Sequence, residues 1–164
     1  QNNPTYQRYS QKMIYQSTRL GTFDLPDSGI IHFTQGIYAF ENQKKFCLLP
    51  LNPNIDSPLE WMHSLQSPDL AFVVTDPYFY VPDYKLFLTD DDKKQILLEK
   101  NDPMAVRVIV KIPKNYAEMT ANLLAPIVIN IKQKTAKQFV LTTLEYEVTH
   151  YLLPKELRSA KTNV

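Results

Sequence analysis

Prolines divide this chain into short apolar runs, and their positions limit the length that any helix or strand can reach. The continuous apolar run at 70–75 stops at Asp76-Pro77, and the alternating run at 105–112 stops at Pro113. Proline has no backbone N–H to give to a sheet ladder, so it ends strands and protects sheet edges. The chain has twelve prolines. Their spacing predicts many short strands.

Each predicted strand is an apolar or alternating run that is bounded by turn residues. In the run at 105–112, Val106, Val108 and Val110 share one face because side chains alternate across a strand. We predict strands at 14–18, 22–25, 30–33, 45–49, 70–75, 84–88, 105–112, 127–131, 138–142 and 146–152.

One segment has the pattern of a helix. Thr89 can cap its start, Asp92 follows three residues later, and the acidic residues suit the positive end of the helix dipole. We expect Ile96, Leu97 and Leu98 to form the buried face of this helix.

The predicted fold is therefore all-β and mainly antiparallel, a single barrel-like domain with one short helix. We expect the barrel to span residues 13–153. Residues 1–12 are expected to form a flexible N-terminal extension, and residues 154–164 a polar C-terminal tail.

The residues that catalysis or a cofactor would need are scarce. The three glycines, Gly21, Gly29 and Gly36, are too far apart to form a phosphate-binding loop. The single cysteine, Cys47, excludes an internal disulfide and lies in an apolar setting that predicts a buried, unreactive thiol. The histidines have no metal-ligand spacing. We expect no catalytic residue, no metal and no cofactor, and hence no enzyme.

Aromatic residues are concentrated in one stretch and could form an apolar contact surface. Tyrosine and phenylalanine anchor many protein interfaces, although the same residues could simply pack in the core. A surface that stacks nucleic-acid bases should also carry interleaved Lys and Arg, and only Lys85 lies in this stretch. The pattern favours a protein partner, with candidate contact residues Tyr78, Phe79, Tyr84 and Phe87.

Charge is balanced overall but uneven along the chain. The net charge is +1, while the acidic residues are concentrated before residue 104. The alternatives are an ordinary mixed surface and an acidic face that meets a basic partner or repels RNA. The candidate residues for such a face are Asp90, Asp91, Asp92 and Glu99.

Several segments in order resemble the FliW family. Residues 31–41 read Ile-His-Phe-Thr-Gln-Gly-Ile-Tyr-Ala-Phe-Glu, similar to the family's Phe-Pro-Glu-Gly-Ile-Pro-Gly-Phe-Glu, with Ala39 in place of a glycine. Residues 119–130 read Met-Thr-Ala-Asn-Leu-Leu-Ala-Pro-Ile-Val-Ile-Asn and carry the most specific match. Shorter matches lie at 61–64, 69–77 and 82–84, and Gln138 follows.

This resemblance implies a function. FliW proteins are cytoplasmic and non-enzymatic. They bind CsrA, an RNA-binding translational repressor, and block its repression of flagellin mRNA. They also bind flagellin in competition with CsrA, which makes them partner-switching regulators and chaperones. The resemblance implies no direct contact with nucleic acid or membrane, and the acidic candidates would then face CsrA.

Asn122 lies inside the most specific matching segment and is a further candidate for partner binding. The alternative is that its side chain organises a turn by bonding backbone groups. Two other classes of function stay open at this point: a β-barrel RNA-binding protein, and a hydrolase or isomerase with an unrecognised site.

Overall fold

Residues 11–158, the part of the chain that the computed structural model describes, contain eleven strands, three short α-helices and two 3-10 helices, at Asp27–Gly29 and Tyr116–Glu118. The strands are β1 (Lys12–Ser17), β2 (Gly21–Pro26), β3 (Ile31–Phe33), β4 (Lys45–Pro50), β5 (Leu59–Ser64), β6 (Ala71–Thr75), β7 (Met104–Lys111), β8 (Thr120–Ala121), β9 (Ile127–Asn130), β10 (Thr135–Gln138) and β11 (His150–Tyr151). The helices are α1 (Pro77–Tyr80), α2 (Asp90–Gln95) and α3 (Lys155–Arg158).

The barrel closes through the longest strand, β7. Its first half, Met104–Arg107, pairs with β9, while Val110 and Lys111 pair with β8. Its other edge pairs with β6. Strands β7, β6, β5, β4, β3, β10 and β9 therefore form a ring. Within residues 11–158 every pairing in the ring is antiparallel except that of β3 with β10, so the predicted fold class is confirmed.

Side chains of β7 alternate between two clusters. Ile109 packs against the cluster inside the ring, which includes Phe33 and Phe46. The face shared by Val106, Val108 and Val110 is buried in a different cluster. Phe33 and Phe46, on the neighbouring strands β3 and β4, meet edge to face with their ring centroids 5.0 Å apart. Burial of one such side chain stabilises the fold by roughly 1.5–3 kcal/mol, so these aromatic contacts fix the positions of β3 and β4.

A hairpin of β1 and β2 forms a separate sheet beside the barrel. His63 on β5 holds it. Its Nδ1 lies 2.7 Å from the Ser64 carbonyl oxygen, which can only accept, so Nδ1 carries the proton. Its Nε2 then accepts from the Ser17 hydroxyl at 2.7 Å. Lys12, the last residue of the predicted N-terminal extension, already belongs to β1, and residues 1–10 lie outside the described residues.

The helix predicted after Thr89 is α2, and both bonds of its capping box form between Thr89 and Asp92. The expected burial of Leu97 is wrong, because the helix ends at Gln95 and Leu97 turns outward with a positive φ of 57° and 57% exposure. The helix α1 was not predicted. The described part of the predicted C-terminal tail contains α3, while residues 159–164 lie outside the described part.

Three strand predictions are wrong in position or kind. Residues 84–88 run without strand pairing, although their side chains alternate. The predicted strand at 138–142 is shifted to β10, because the chain reverses already at 131–134. The predicted strand at 146–152 shrinks to β11. Strands β5 and β8 were not predicted, since polar residues interrupt β5 and β8 has only two residues.

Candidate partner-binding surface

The chain that follows β10 has no strand neighbour on one of its two sides, and this leaves an opening in the barrel wall. Strand β3 pairs with β10 only at Thr135 and Ala136, and the Thr34 N–H bonds the Ala136 carbonyl at 3.2 Å. The chain of β3 then turns away at Gly36, where φ is +70° and an added Cβ would lie 2.5 Å from the Glu41 carbonyl oxygen. The Tyr38 N–H still reaches the Gln138 side chain at 3.1 Å, but beyond Gln138 the side of residues 139–143 that β3 would have covered is left open.

The opposite side of this segment is hydrogen-bonded. The Phe139 N–H bonds the Pro126 carbonyl at 2.9 Å, and the Leu141 N–H bonds the Leu124 carbonyl at 2.8 Å. Because successive residues of an extended chain direct their backbone groups to opposite sides, Val140 directs its N–H to the open side. No described residue accepts a hydrogen bond from that N–H.

The far wall is formed by residues 85–89. Lys85, Phe87 and Thr89 line the open space, whereas Leu86 and Leu88 pack against the core. This alternation explains why the sequence predicted a strand here. The space between the two walls is a groove of about 500 Å³, called the seam groove below; its side chains include Tyr38, Lys85, Phe87, Asp92, Lys137, Val140, Glu145 and Tyr146.

Apolar side chains of the seam groove are open to solvent. Phe87 is 79% exposed and Val140 is 54% exposed, and Tyr38 is also exposed. The Lys85 N–H bonds the Tyr146 hydroxyl at 2.7 Å, which fixes the far wall to the segment after β10. Large apolar side chains that are exposed together mark interaction sites in many soluble proteins.

The charges of the seam groove are partly paired. Lys85 and Glu145 form an exposed ion pair at 3.5 Å, and Asp92 is held in the capping box of α2. Lys137 is half-buried and donates to the neutral Gln95 side chain. Its ammonium lies 5.1 Å from the Phe139 ring centroid, and no carboxylate of the described residues is within ion-pair distance of it.

The structure does not bring the four predicted aromatic residues into one surface. Tyr84 is only 4% exposed, and its hydroxyl donates to the Leu123 carbonyl at 2.6 Å. Burial raises the pKa of Tyr84 well above its ordinary value. The prediction of Tyr84 as a contact residue is wrong, because its ring belongs to the core.

The other three aromatic residues lie in different places. Phe87 is in the seam groove, while Phe79 on α1 is 64% exposed and borders a separate depression. Tyr78 is partly exposed and packs edge-on against the buried Tyr84; burial, and then the nearby Asp76 carboxylate, raise its pKa. Contact with a partner stays a prediction for these three residues.

The predicted acidic residues are interleaved with lysines. Asp90 and Glu99 border one shallow depression together with Lys93, Lys94 and Lys100. The Asp91 carboxylate accepts from the Gln95 side chain at 2.8 Å. Asp92 is in the seam groove. The neighbouring lysines thus offset the negative charge of these residues. Contact of the acidic residues with a basic partner stays a prediction.

Asn122 organises a turn. Its Oδ1 accepts from the backbone N–H groups of Leu124 and Ala125 at 3.2 and 3.1 Å. This geometry favours the fold-organising alternative for Asn122. By holding residues 124–126 in place, the turn also supports the wall that bonds Phe139 and Leu141.

Sequence reasoning missed Tyr38, Lys137, Val140 and Tyr146. Tyr38 lies in a segment that resembles the FliW family, so its position was within reach. The other three carry no local signal, because they meet only through the pairing of distant parts of the chain.

The described residues contain no candidate metal site. Within residues 11–158, no group of three or more His, Cys, Asp or Glu side chains is placed to hold an ion. Cys47 is fully buried, as predicted, and burial raises its pKa to about 12. None of the described helices has the length and apolar character needed to cross a membrane.

Comparisons with known proteins agree with one another. The family model described as "FliW protein" matches residues 14–152. The flagellar assembly factor FliW of Pseudothermotoga lettingae is 38% identical over 148 residues, covering 90% of this chain and 92% of that protein. The protein of the same name from Heliobacterium modesticaldum is 38% identical over 142 residues, covering 87% and 92%.

A solved structure has the same architecture. The crystal structure of a flagellar assembly factor FliW superposes with a TM-score of 0.79 at 32% identity, covering 89% of this chain and 99% of that one. Sequence and fold thus match over nearly the whole described chain, and the chain belongs to the FliW family.

Proposed function

We propose that this protein is a flagellar assembly factor that acts by binding other proteins. It binds the translational repressor CsrA and thereby relieves the repression of flagellin mRNA. It also binds flagellin, and the two partners compete. The observation that carries the proposal is the family match over residues 14–152, together with relatives named as flagellar assembly factors.

The seam groove supports a binding role. It combines exposed apolar side chains such as Phe87 with charged side chains that are partly paired, as Lys85 and Glu145 are, and such surfaces are used for protein contacts. Cys47 is buried with a raised pKa, so the single thiol of the chain is kept in its unreactive form. A binding module needs no reactive group, and the proposal uses none.

Competition between the partners follows if their binding surfaces overlap. When flagellin occupies the protein, CsrA is free to repress the message. When flagellin is exported, the released protein sequesters CsrA, and flagellin translation rises. We place this exchange in the cytoplasm, where both partners are made.

A calorimetric titration tests the proposal. The purified protein is titrated with CsrA, and the titration is repeated after saturation with flagellin. We expect binding to CsrA that saturating flagellin abolishes. Binding to CsrA that persists unchanged would contradict competition, and binding to neither protein would overturn the proposed function.

The same preparation tests the RNA-binding alternative. The chain alone is mixed with the leader of the flagellin message at two salt concentrations. We expect no complex at either salt concentration. Retention that weakens steeply with salt would instead point to a nucleic-acid-binding barrel, since phosphate contacts release counterions.

A further inference from the structure

We propose that the seam groove receives an extended segment of a protein partner, which adds a strand to residues 139–142 and places a carboxylate beside Lys137. This inference rests on the proposed function only in that the chain is taken to bind proteins.

The backbone of the wall supports an added strand. Residues 139 and 141 already bond the chain at 124–126 on one side. Val140 directs its N–H to the other side, where β3 has turned away at Gly36. A strand in the groove would pair with the part of the chain after β10 that β3 does not reach, and main-chain hydrogen bonds of this kind are the usual source of affinity in strand addition.

The side chains of the groove favour an extended segment over a helix. Lys85, Phe87 and Thr89 face the groove at every second position, which matches the two-residue period of a strand lying against them. A helix would satisfy its own backbone and leave the Val140 N–H without a partner. The bound segment should therefore carry apolar residues at alternate positions, toward Phe87 and Tyr38.

The charge of Lys137 favours an acidic residue on the bound segment. A segment that covers the groove would remove more water from Lys137, which is half-buried and has no carboxylate partner among the described residues. Burial of an unpaired ammonium is costly, and an acidic side chain on the partner would offset that cost. Lys85 does not need such a partner, because Glu145 already lies 3.5 Å from it.

The experiment uses short overlapping synthetic peptides that cover the CsrA and flagellin of the same bacterium. Peptides that bind the intact protein are measured by calorimetry, and their conformation is followed by isotope-edited infrared spectroscopy. We expect at least one binder that is extended when bound and has alternating apolar residues and an acidic residue. The absence of any peptide binder, or a helical bound peptide, would overturn the inference.

Four variants locate the site. Phe87→Ser should lower peptide affinity about tenfold, while Phe79→Ser, the matched exposed phenylalanine in another depression, should not change it. Val140→Pro removes the N–H that faces the groove, and Val140→Ala is its control. We expect a clear loss of affinity for the proline variant and a smaller loss for alanine. Equal effects of Phe87→Ser and Phe79→Ser would contradict the site.

A charge swap keeps the test decisive even if Val140→Pro fails to fold. Lys137→Glu should weaken binding of the acidic peptide, and replacement of the peptide's acidic residue by lysine should restore it. Absence of restoration would refute the contact with Lys137. If full-length CsrA and flagellin bind while every peptide test fails, the inference is wrong and the proposed function stands.

Discussion

Replacement of Asn130 should destabilise this protein more than replacement of any exposed asparagine. The fully buried Asn130 side chain joins three parts of the fold. Its Nδ2 donates to the carbonyls of Ile96 and Leu97, each at 3.0 Å. Its Oδ1 accepts from the N–H groups of Lys132 and Gln133 at 3.1 and 3.2 Å. The end of α2 is thereby tied to the turn between β9 and β10.

The magnitude follows from what Asn130→Ala leaves behind. The backbone groups of the exposed Lys132 and Gln133 can bond water instead. Ile96 is fully buried and keeps one bond, from the Thr135 hydroxyl at 2.6 Å. With about 1 kcal/mol for each lost hydrogen bond and a further cost for the cavity, we expect a loss of roughly 2–4 kcal/mol. For a chain of this size that corresponds to a melting temperature lower by about 5–15 °C.

Denaturant unfolding, followed by the fluorescence of Trp61, measures this loss. Asn54→Ala is the matched control, since Asn54 is exposed and should change stability by less than about 0.5 kcal/mol. Asn130→Asp keeps the acceptor but places an oxygen against the two carbonyl oxygens that now accept from Nδ2, so it should also destabilise the protein. Equal stability of Asn130→Ala and Asn54→Ala would refute the reasoning.

Three further predictions concern other parts of the fold. Tyr84→Phe should cost about 1–2 kcal/mol in the same unfolding assay, because it leaves the buried Leu123 carbonyl without its donor; no loss would mean that water reaches this carbonyl. Ala39→Gly should stabilise the protein by about 0.5–1 kcal/mol, because Ala39 has a φ of 70° that glycine adopts freely; a loss of stability would contradict strain at this position. Cys47 should resist a thiol reagent at mildly alkaline pH and react only on unfolding, because burial holds the pKa of the thiol at about 12, so that the neutral form persists well above neutral pH; rapid labelling of the folded protein would contradict that burial.

Local signals predicted some elements well. The capping box of Thr89 and Asp92 lies within four consecutive residues, and it located α2. Alternation in β7 placed Val106, Val108 and Val110 on one face, and in the structure that face is buried. Both patterns depend on neighbours in sequence, so they can be read before the chain is folded.

Residues 84–88 show where local reasoning fails. They alternate like a strand, and Leu86 and Leu88 do pack inward. Tyr84 was assigned to a surface because nothing in the sequence showed that its hydroxyl would reach Leu123, which is 39 residues away. Strand pairing and burial at these positions depend on distant partners, and alternation does not name them.

The sequence by itself determined that the chain forms short strands, that α2 begins after Thr89, that Cys47 is buried, and that the chain resembles the FliW family. Only the tertiary structure decided how β7 divides its edge between β9 and β8, and where β3 leaves β10. The seam groove lies where β3 leaves β10. Its walls come from residues about 50 positions apart in the chain, so a surface of this kind has no local pattern that could predict it.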